Sequence, residues 1–464
     1  MINRYLPGDH ALVLGASVAG MLAARALSDF FETVTVVERD QLPGNPESRR
    51  GVPQGRHAHL LWARGAEVLD QLFPGLSRDL VTDGAPVFDG EDLSQVYLHN
   101  GGYPLPATGR FRDFQLVLPT RLLLEYHIRR RLRAIDNVVI RDGHDVVGLV
   151  TQPGGRVSGA KVCDRADGTE QVMDADLVVD TTGRGSRTPA FLSTEGYGRP
   201  LEQEVTVRLT YSTLKLRLPP DALHELAVVI GAVPGRSTGM ALLRNEADTW
   251  MFTAIGMVGV RPPDDLGGMT TFIEDFAPAH VVAAVREAQP LSEHAGYGVP
   301  SSRWRRYDNM RRFPSGLLVL GDAMCSFNPV YGQGMTVAAM EAEALHRCLT
   351  AGADGLTRRY FHAAAKIVGN AWQLAAGGDL ALPEVEGPRP ATVRFANRYV
   401  SNVQAAAASD LVVAQQLAHV VSFKSQPVSL FKPTVVARVA ANRLRSKRSA
   451  SLASPVTDPD QAIL

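Results

Sequence analysis

The chain has 464 residues, 45% of them hydrophobic and 21% charged, with 48 basic side chains against 48 acidic ones. That length exceeds one core, so two domains and an appendix are expected, and the balanced charge excludes a global electrostatic pull toward nucleic acid. Cys163, Cys325 and Cys348 are far apart and form no CxxC pair. This excludes a disulfide framework and a cysteine metal site, and it fits a reducing cytoplasm.

Residues 11–27, ALVLGASVAGMLAARAL, are nearly all apolar or small. The run is too short to cross a bilayer, and the start MINRYLPGDH lacks a strongly basic segment, so a cytoplasmic chain without transmembrane helices is expected. Its glycines suit a strand over Ala11–Leu14, a turn, and a helix over Val18–Ser28. A second strand, Thr33–Val37, ends in Glu38-Arg39-Asp40 and completes a βαβ unit. A polar loop through GNPESRRGVPQGRHAH follows, then an apolar-periodic helix from Leu60 to Leu72. Thr120 is placed as the N-cap of a further helix, TRLLLEYHIRRRLRA, whose apolar face is Leu122, Leu123, Tyr126 and Leu132.

Short strands are predicted near Val138, Val146–Val150, Val157–Cys163 and Gln171–Met173, and Leu177–Val179 enters the turn DTTGRGS. From about 201 to 300, alternating or β-branched runs such as VTVRLTYSTLKLRL and TWMFTAIGMVGV indicate an antiparallel sheet. Leu317–Leu320 is another buried strand, followed by GDAMCSFNPVYGQG and a helix over Thr336–Leu349. Beyond Leu382 the texture is helical and rich in Ala and Val. Between Asp410 and Asp458 there are seven Lys/Arg and no acid. There Phe431, Val435 and Val439, with Val436, Ala440 and Leu444, make an apolar stripe that either packs on its own domain or lies on a membrane surface.

Three segments carry ligand chemistry. In Gly15-Ala16-Ser17-Val18-Ala19-Gly20, Gly15 permits the tight turn, Gly20 allows close helix–strand packing, and small Ser17 admits a pyrophosphate to the helix N-terminus. Glu38, eighteen residues beyond Gly20, is placed to accept from ribose hydroxyls. In Asp180–Ser186, small residues let a backbone turn approach a flat ligand or a neighbouring strand. In the third, Gly321-Asp322 follows a buried strand. There Asp322 can accept from a polyol, Pro329 stiffens the loop, and Gly332 and Gly334 lead to a helix N-terminus near Met335 suited to a ligand that becomes anionic on reduction. Two ligand-facing turns so far apart in sequence indicate one long cofactor.

With these motifs the chain resembles the FAD-dependent monooxygenases of the p-hydroxybenzoate hydroxylase and squalene epoxidase type over roughly residues 10–375. The resemblance implies an α/β fold: a Rossmann-like FAD-binding domain of the glutathione reductase type, an inserted mixed β-sheet substrate domain, and a C-terminal helical segment. It divides the chain into 1–80, 105–200 and 300–380 for FAD, 81–104 and 201–299 for substrate, and 381–464 as the helical appendix. It carries the FAD contacts onto Gly15, Ser17, Val18, Ala19, Gly20, Glu38, Arg39, Arg56, Arg121, Val147, Gly183, Gly321, Asp322, Pro329, Gly332, Gly334 and Met335. Arg121 matches the arginine that opens the family's long helix.

Where the hydroxylases read ADG, this chain reads Thr181-Thr182-Gly183, so the electron source is either NAD(P)H or a separate flavin reductase. DTTGRGS, SRRGVPQGRHAHLLWARG and GDAMCSFNPVYGQGMT look most like actinobacterial epoxidases of polyether and polyketide pathways. That implies a C4a-hydroperoxyflavin, O2 and a hydrophobic polyene substrate, with aromatic hydroxylation or isoprenoid double-bond reduction as alternatives. The loop Arg49–His59 either offers an arginine to the pyrophosphate and a histidine to the flavin edge, or is a solvated basic loop whose histidines cap the next helix. No metal is expected, since His57 and His59 have no acidic partners at ligand spacing. No acid–base pair stands out, because the cofactor carries the hard chemistry.

Overall fold

The computed structural model describes residues 8–452. Five parallel strands form its first sheet, in the spatial order Leu317–Val319, Leu177–Asp180, Gly8–Leu14, Phe31–Val37 and Val138–Arg141. Ala11–Leu14, Leu177–Val179 and Leu317–Val319 are buried on both faces, which is why they read as unbroken apolar runs. The register aligns the strand ends: Leu14 sits opposite Val37 and Asp180, and Asp180 opposite Val319. Each of these carboxyl ends then turns into the same edge of the sheet, where ligands of open α/β sheets bind. Helices Val18–Leu27 and Gly334–Thr350 pack on each other across one face. A small antiparallel sheet of His144–Thr151, Val157–Asp164 and Glu170–Asp174 lies alongside.

The second large sheet is mixed. Its centre is the long strand Leu201–Arg217, paired antiparallel with Ala295–Arg306 on one side and Thr249–Gly256 on the other. Thr238–Asn245 and Ala227–Ile230 extend it, and Val96–Asn100 joins the last of these in parallel. Side chains alternate across the strands. Leu214, Leu216, Phe252 and Ala254 pack under helices Leu266–Ile273 and Ala279–Arg286. The opposite parity, with Tyr211, Thr213 and Thr253, faces away from those helices.

Two expectations need correction. The helix Arg121–Arg133 has Thr120 as its N-cap, with Oγ1 accepting from Leu123 N–H at 3.2 Å. Its apolar face differs, however: Leu122 and Tyr126 are only half-buried, while Leu124 and Ile128 join Leu123 and Leu132 in the core. Arg121, Glu125, His127 and Arg129 are buried too. Each has a partner, for example His127 Nε2 with Asp83 Oδ2 at 2.8 Å and Arg129 donating to the Asn45 carbonyl at 3.2 Å. A helix covered on several sides hides its own periodicity once its polar groups are paired. The C-terminal stripe also splits. Val435 and Val439 are buried, whereas Phe431, Val436 and Leu444 stay exposed on and beside helix Pro433–Leu452. Among the described residues no helix is long and apolar enough to cross a membrane.

The first helix approaches the first turn most closely at Gly20, where a Cβ would stand 1.8 Å from the Gly15 carbonyl oxygen and 2.6 Å from Thr181 Oγ1. Overpacking of this kind costs about 1–3 kcal/mol or more, because backbone cannot swing away. Gly20→Ala is expected to lower the urea midpoint by that equivalent. Gly44→Ala, whose Cβ meets nothing within 4 Å, should shift it by less than about 0.5 kcal/mol. Equal midpoints for the two variants would refute the packing role.

Candidate functional site

The first turn leaves its strand through Gly15 at φ 102°, a conformation that favours glycine. Ser17 precedes helix Val18–Leu27 but makes no side-chain cap. The first-turn N–H groups of Val18, Ala19 and Gly20 therefore have no intrahelical acceptor, and they give the turn the character of an anion seat. Glu38 is buried just past the second strand. Its carboxylate accepts from Ala16 N–H at 2.7 Å and Asp40 N–H at 3.1 Å, and it pairs with Arg49 at 3.0 Å. Arg49 also donates to the Ala16 carbonyl at 3.0 Å, so the polar loop is tied to the glycine turn.

The middle turn is organised from within. Asp180 is buried; it accepts from Thr182 N–H at 2.9 Å, from the Thr182 hydroxyl at 2.6 Å, and from the hydroxyls of Ser186 and Thr188. Thr181 Oγ1 donates to the Leu14 carbonyl at 2.7 Å, locking this turn to the first. Arg184 turns away to hold the second sheet, reaching the Ser301 carbonyl at 2.6 Å and Ser326 Oγ at 3.1 Å.

The late segment is gripped from behind. Gly321 N–H donates at 2.8 Å to Glu341, a fully buried acid on helix Gly334–Thr350. Burial, opposed by that hydrogen bond and reinforced by nearby Asp322, pushes the Glu341 carboxyl from 4.5 up to about 8. Its second oxygen has no partner among the described residues, as suits a protonated acid. Asp322 is exposed, but into a cavity with protein on every side. Burial raises its pKa, while Arg121 and Arg184 pull it back down. Gln333 precedes the helix without capping it, and its Oε1 has no partner among the described residues.

All three turns line one continuous cavity of about 920 Å³, inside the roughly 300–1,000 Å³ span of ligand sites. Every FAD contact carried over by the resemblance borders it except Gly20 and Arg56. Gly20 lies beneath the first turn, consistent with its packing role. Arg56 is exposed and does not border the cavity, whereas Arg49, held among Glu38, Asp40 and Glu125, does. Arg121 donates to Glu125 at 2.8 Å and to His59 Nε2 at 3.2 Å.

His57 and His59 line the cavity and are not solvated helix caps. Burial, aided by Arg56 and by Arg121 respectively, pushes them down to about 4 and about 3, so both are neutral. Tyr211, Tyr297 and Gln333 also border the cavity and were not singled out from sequence, and Arg184 of the middle turn borders it too. Only the alternation of Val205, Val207, Leu209 and Tyr211 hinted that a tyrosine shares a buried face. The cradle fits FAD on the chain's own chemistry: left-handed glycines at 15, 183 and 332, two helix ends with free N–H groups, and a cavity-facing Asp322 within the field of Arg121 and Arg184.

Comparison with known proteins agrees. The family described as "FAD binding domain" matches residues 10–365. The chain is 38% identical over 454 residues to "Protein Rv3254" of Mycobacterium tuberculosis, covering 95% of this chain and 94% of that one. It is 26% identical over 370 residues to a kynurenine 3-monooxygenase of Salinispora tropica, covering 77% and 76%. Among solved structures, p-nitrophenol 4-monooxygenase PnpA from Pseudomonas putida superposes with a TM-score of 0.65 at 16% identity, over 90% of this chain and 98% of that one.

The Glu341 contact predicts a pH signature. Between pH 4.5 and about 8 the unfolded chain releases this proton while the folded chain keeps it. The stability it contributes is therefore whole below 4.5, falls as pH rises, and is lost by about 8. Glu341→Gln has no proton to lose, so its melting temperature should drop less than wild type's between about pH 5 and 8.5. Parallel thermal melts of the two proteins at both pH values would contradict this.

Proposed function

We propose, for a chain that belongs to the FAD binding domain family of flavin-dependent monooxygenases, that it inserts one atom of O2 into an electron-rich conjugated substrate, with hydroxylation of an aromatic ring as the leading reaction. The balance is substrate, O2, NAD(P)H and a proton giving oxygenated substrate, water and NAD(P)+. Electrons come from NAD(P)H directly or through a separate flavin reductase. The observation that carries the reading is the single cavity bordered by Gly15, Glu38, Asp322 and Gly334.

FAD, when bound and reduced, supplies the activation of O2. The chain's own groups bind and orient. The N–H groups of Val18 and Ala19 would take the pyrophosphate, and Glu38 would take the adenosine ribose. Asp322 takes the ribityl chain, and the helix end at Gly334–Met335 faces developing negative charge on the ring. Arg121 braces the cofactor wall through Glu125 and His59. Residues 1–80, 105–200 and 300–380 serve the cofactor in this proposal, and 81–104 and 201–299 the substrate. The second sheet closes the pocket and keeps water from the reacting atoms.

Ring hydroxylation is supported by the His57, Tyr211 and Tyr297 wall and by the named reactions of the kynurenine and p-nitrophenol monooxygenases. A second reading, epoxidation of an alkene in a hydrophobic polyketide or polyene, is supported by Val299, Phe327 and Pro329 in the same lining.

The test is product mass spectrometry with the FAD-loaded protein, NADH, NADPH or externally reduced FAD, 18O2, and a panel of phenols and polyenes. The expected result is a gain of one labelled oxygen, on phenols under the leading reading and on polyenes under the second. A gain of two hydrogens without oxygen would replace both with double-bond reduction. A purified protein that never takes up FAD would end all three.

A further inference from the structure

The zero net charge of the chain hides a division. Residues 387–457 carry ten Lys/Arg and one acid, Asp410, a formal charge of +9, so the remainder carries −9. No residue beyond Ala338 borders the cavity, and the cations of this segment therefore do not line it. Its inner side is used in packing, where Val403, Leu417, Val435 and Val439 share one buried cluster with Phe111 and Phe114. Two of its cations are also engaged: Arg438 pairs with Asp410 at 2.8 Å and Lys424 with Glu67 at 3.0 Å. Arg398, Lys432, Arg443 and Arg445 are exposed and make no ion pair among the described residues.

The outer side also bears an apolar patch fixed in place. Phe395 and Tyr399 stand one turn apart on helix Ala391–Ala407. The Tyr399 ring stacks on Phe431 with centroids 4.5 Å apart, and its hydroxyl donates to the Leu430 carbonyl at 2.7 Å. Val428 lies in the same short turn, Pro427–Phe431. Phe395 is 66% exposed, Val428 68% and Phe431 48%. Single exposed apolar side chains are ordinary, but a held aromatic cluster in contact with water marks an interaction site. Val436, Ala440 and Leu444 add an exposed stripe along helix Pro433–Leu452, beside the buried stripe of Val435 and Val439. The free cations rim these groups in sequence: Arg398 is three residues from Phe395, Lys432 adjoins Phe431, and Arg443 and Arg445 flank Leu444.

We propose that this face docks on the anionic headgroups of a lipid bilayer, with Phe395, Val428 and Phe431 entering the interface and Arg398, Lys432, Arg443 and Arg445 meeting lipid phosphates. Aromatic rings favour the headgroup level, and long basic side chains reach from apolar surface to charge. Apolar burial and charge attraction acting together are what reversible binding to a membrane surface requires. The acidic remainder of the chain is repelled by the same surface, so the protein docks in one orientation although its net charge is zero. Cations spread over three successive elements fit a plane of charge better than a single acidic side chain on a partner protein. The protein lies on the bilayer in this proposal; among the described residues no helix is long and apolar enough to cross it. The proposal is independent of the reaction in the cavity.

The test is co-sedimentation of the FAD-loaded full chain with vesicles of phosphatidylcholine, alone or mixed with phosphatidylglycerol. Each Lys/Arg near an anionic leaflet contributes roughly fivefold, so binding to the mixed vesicles is expected to be at least about tenfold tighter and to be lost at high salt. Phe395→Ser and Lys432→Glu should each weaken it about fivefold, with FAD content and melting temperature unchanged because both side chains are exposed. Arg78→Glu, at an exposed cation on helix Leu76–Thr82 outside the segment, should bind as wild type does. Phe395→Trp should show blue-shifted emission on mixed vesicles, which charge attraction alone would not cause.

The proposal is overturned if neither vesicle binds, if both bind equally, if Arg78→Glu loses as much as Lys432→Glu, or if the Phe395→Trp emission does not shift. A wild-type dimer, seen by sedimentation velocity without vesicles and returned to monomer by Phe395→Ser, would assign the face to a second copy instead. Soluble polyglutamate binding as tightly as the mixed vesicles, and losing its hold in the same variants, would assign it to an acidic polypeptide and equally overturn the lipid proposal.

Discussion

The ligand side of this molecule depends on one alignment of backbone. Leu14, Val37, Asp180 and Val319 end neighbouring parallel strands in register. Thr181 ties the ends together by donating to the Leu14 and Gly15 carbonyls. Because the strands stop at one level, their turns open into one cavity although they come from residues 15, 183 and 321. The close approach of Gly20 to Gly15 keeps the first helix end aimed there. A side chain at Gly20 would tilt the helix and move its free N–H groups off the cavity.

Behind the turns the chain buries charge in a network. Glu38 and Glu125 flank Arg49, and Glu125 also holds Arg121, which reaches His59. Such a network contributes little net stability, because desolvation of the ions offsets their attraction. Breaking one member is costly, since its partners remain buried and unpaired. The arrangement therefore fixes the geometry of loop, helix and second strand relative to one another. Neutral His59 can accept from Arg121 because burial and the arginine itself keep it unprotonated.

The parallel strands and glycine turns were legible in the sequence because their causes are local. A buried strand must be apolar on both faces, and a turn at φ 102° favours glycine. The buried polar face of Arg121–Arg133 was not legible beyond Arg121, since Glu125, His127 and Arg129 lie outside the apolar stripe and their partners include Arg49, Asp83 and Asn45 from other segments. The choice between Arg49 and Arg56 failed for the same reason. Both sit in one polar loop, and only the positions of Glu38, Asp40 and Glu125 decide which turns inward. Tyr211 and Tyr297 lie on paired strands, opposite each other in register. Their convergence on His57 requires three segments that no local pattern links.

The contacts that shape the late segment extend beyond the stretch that matches the family, which ends at residue 365. Helix Leu356–Asp379 runs past that point and ends in Asp379, a fully buried acid. It accepts from Asn328 Nδ2 at 2.7 Å and from the Tyr331 hydroxyl at 3.0 Å. Asn328 in turn accepts from Val330 N–H at 3.1 Å, and Tyr331 accepts through its carbonyl from Trp62 at 3.0 Å. The loop holding Pro329 and Gly332 is thus held by a residue that a motif-by-motif reading has no reason to inspect. Burial raises the Asp379 carboxyl to about 7, against the pull of its hydrogen bonds. Its charge near neutral pH is a balance between desolvation and the donors Asn328, Tyr331 and Ser302. The cavity wall at Pro329–Gly334 therefore takes its shape from packing outside the matched segment as much as from the glycines within it.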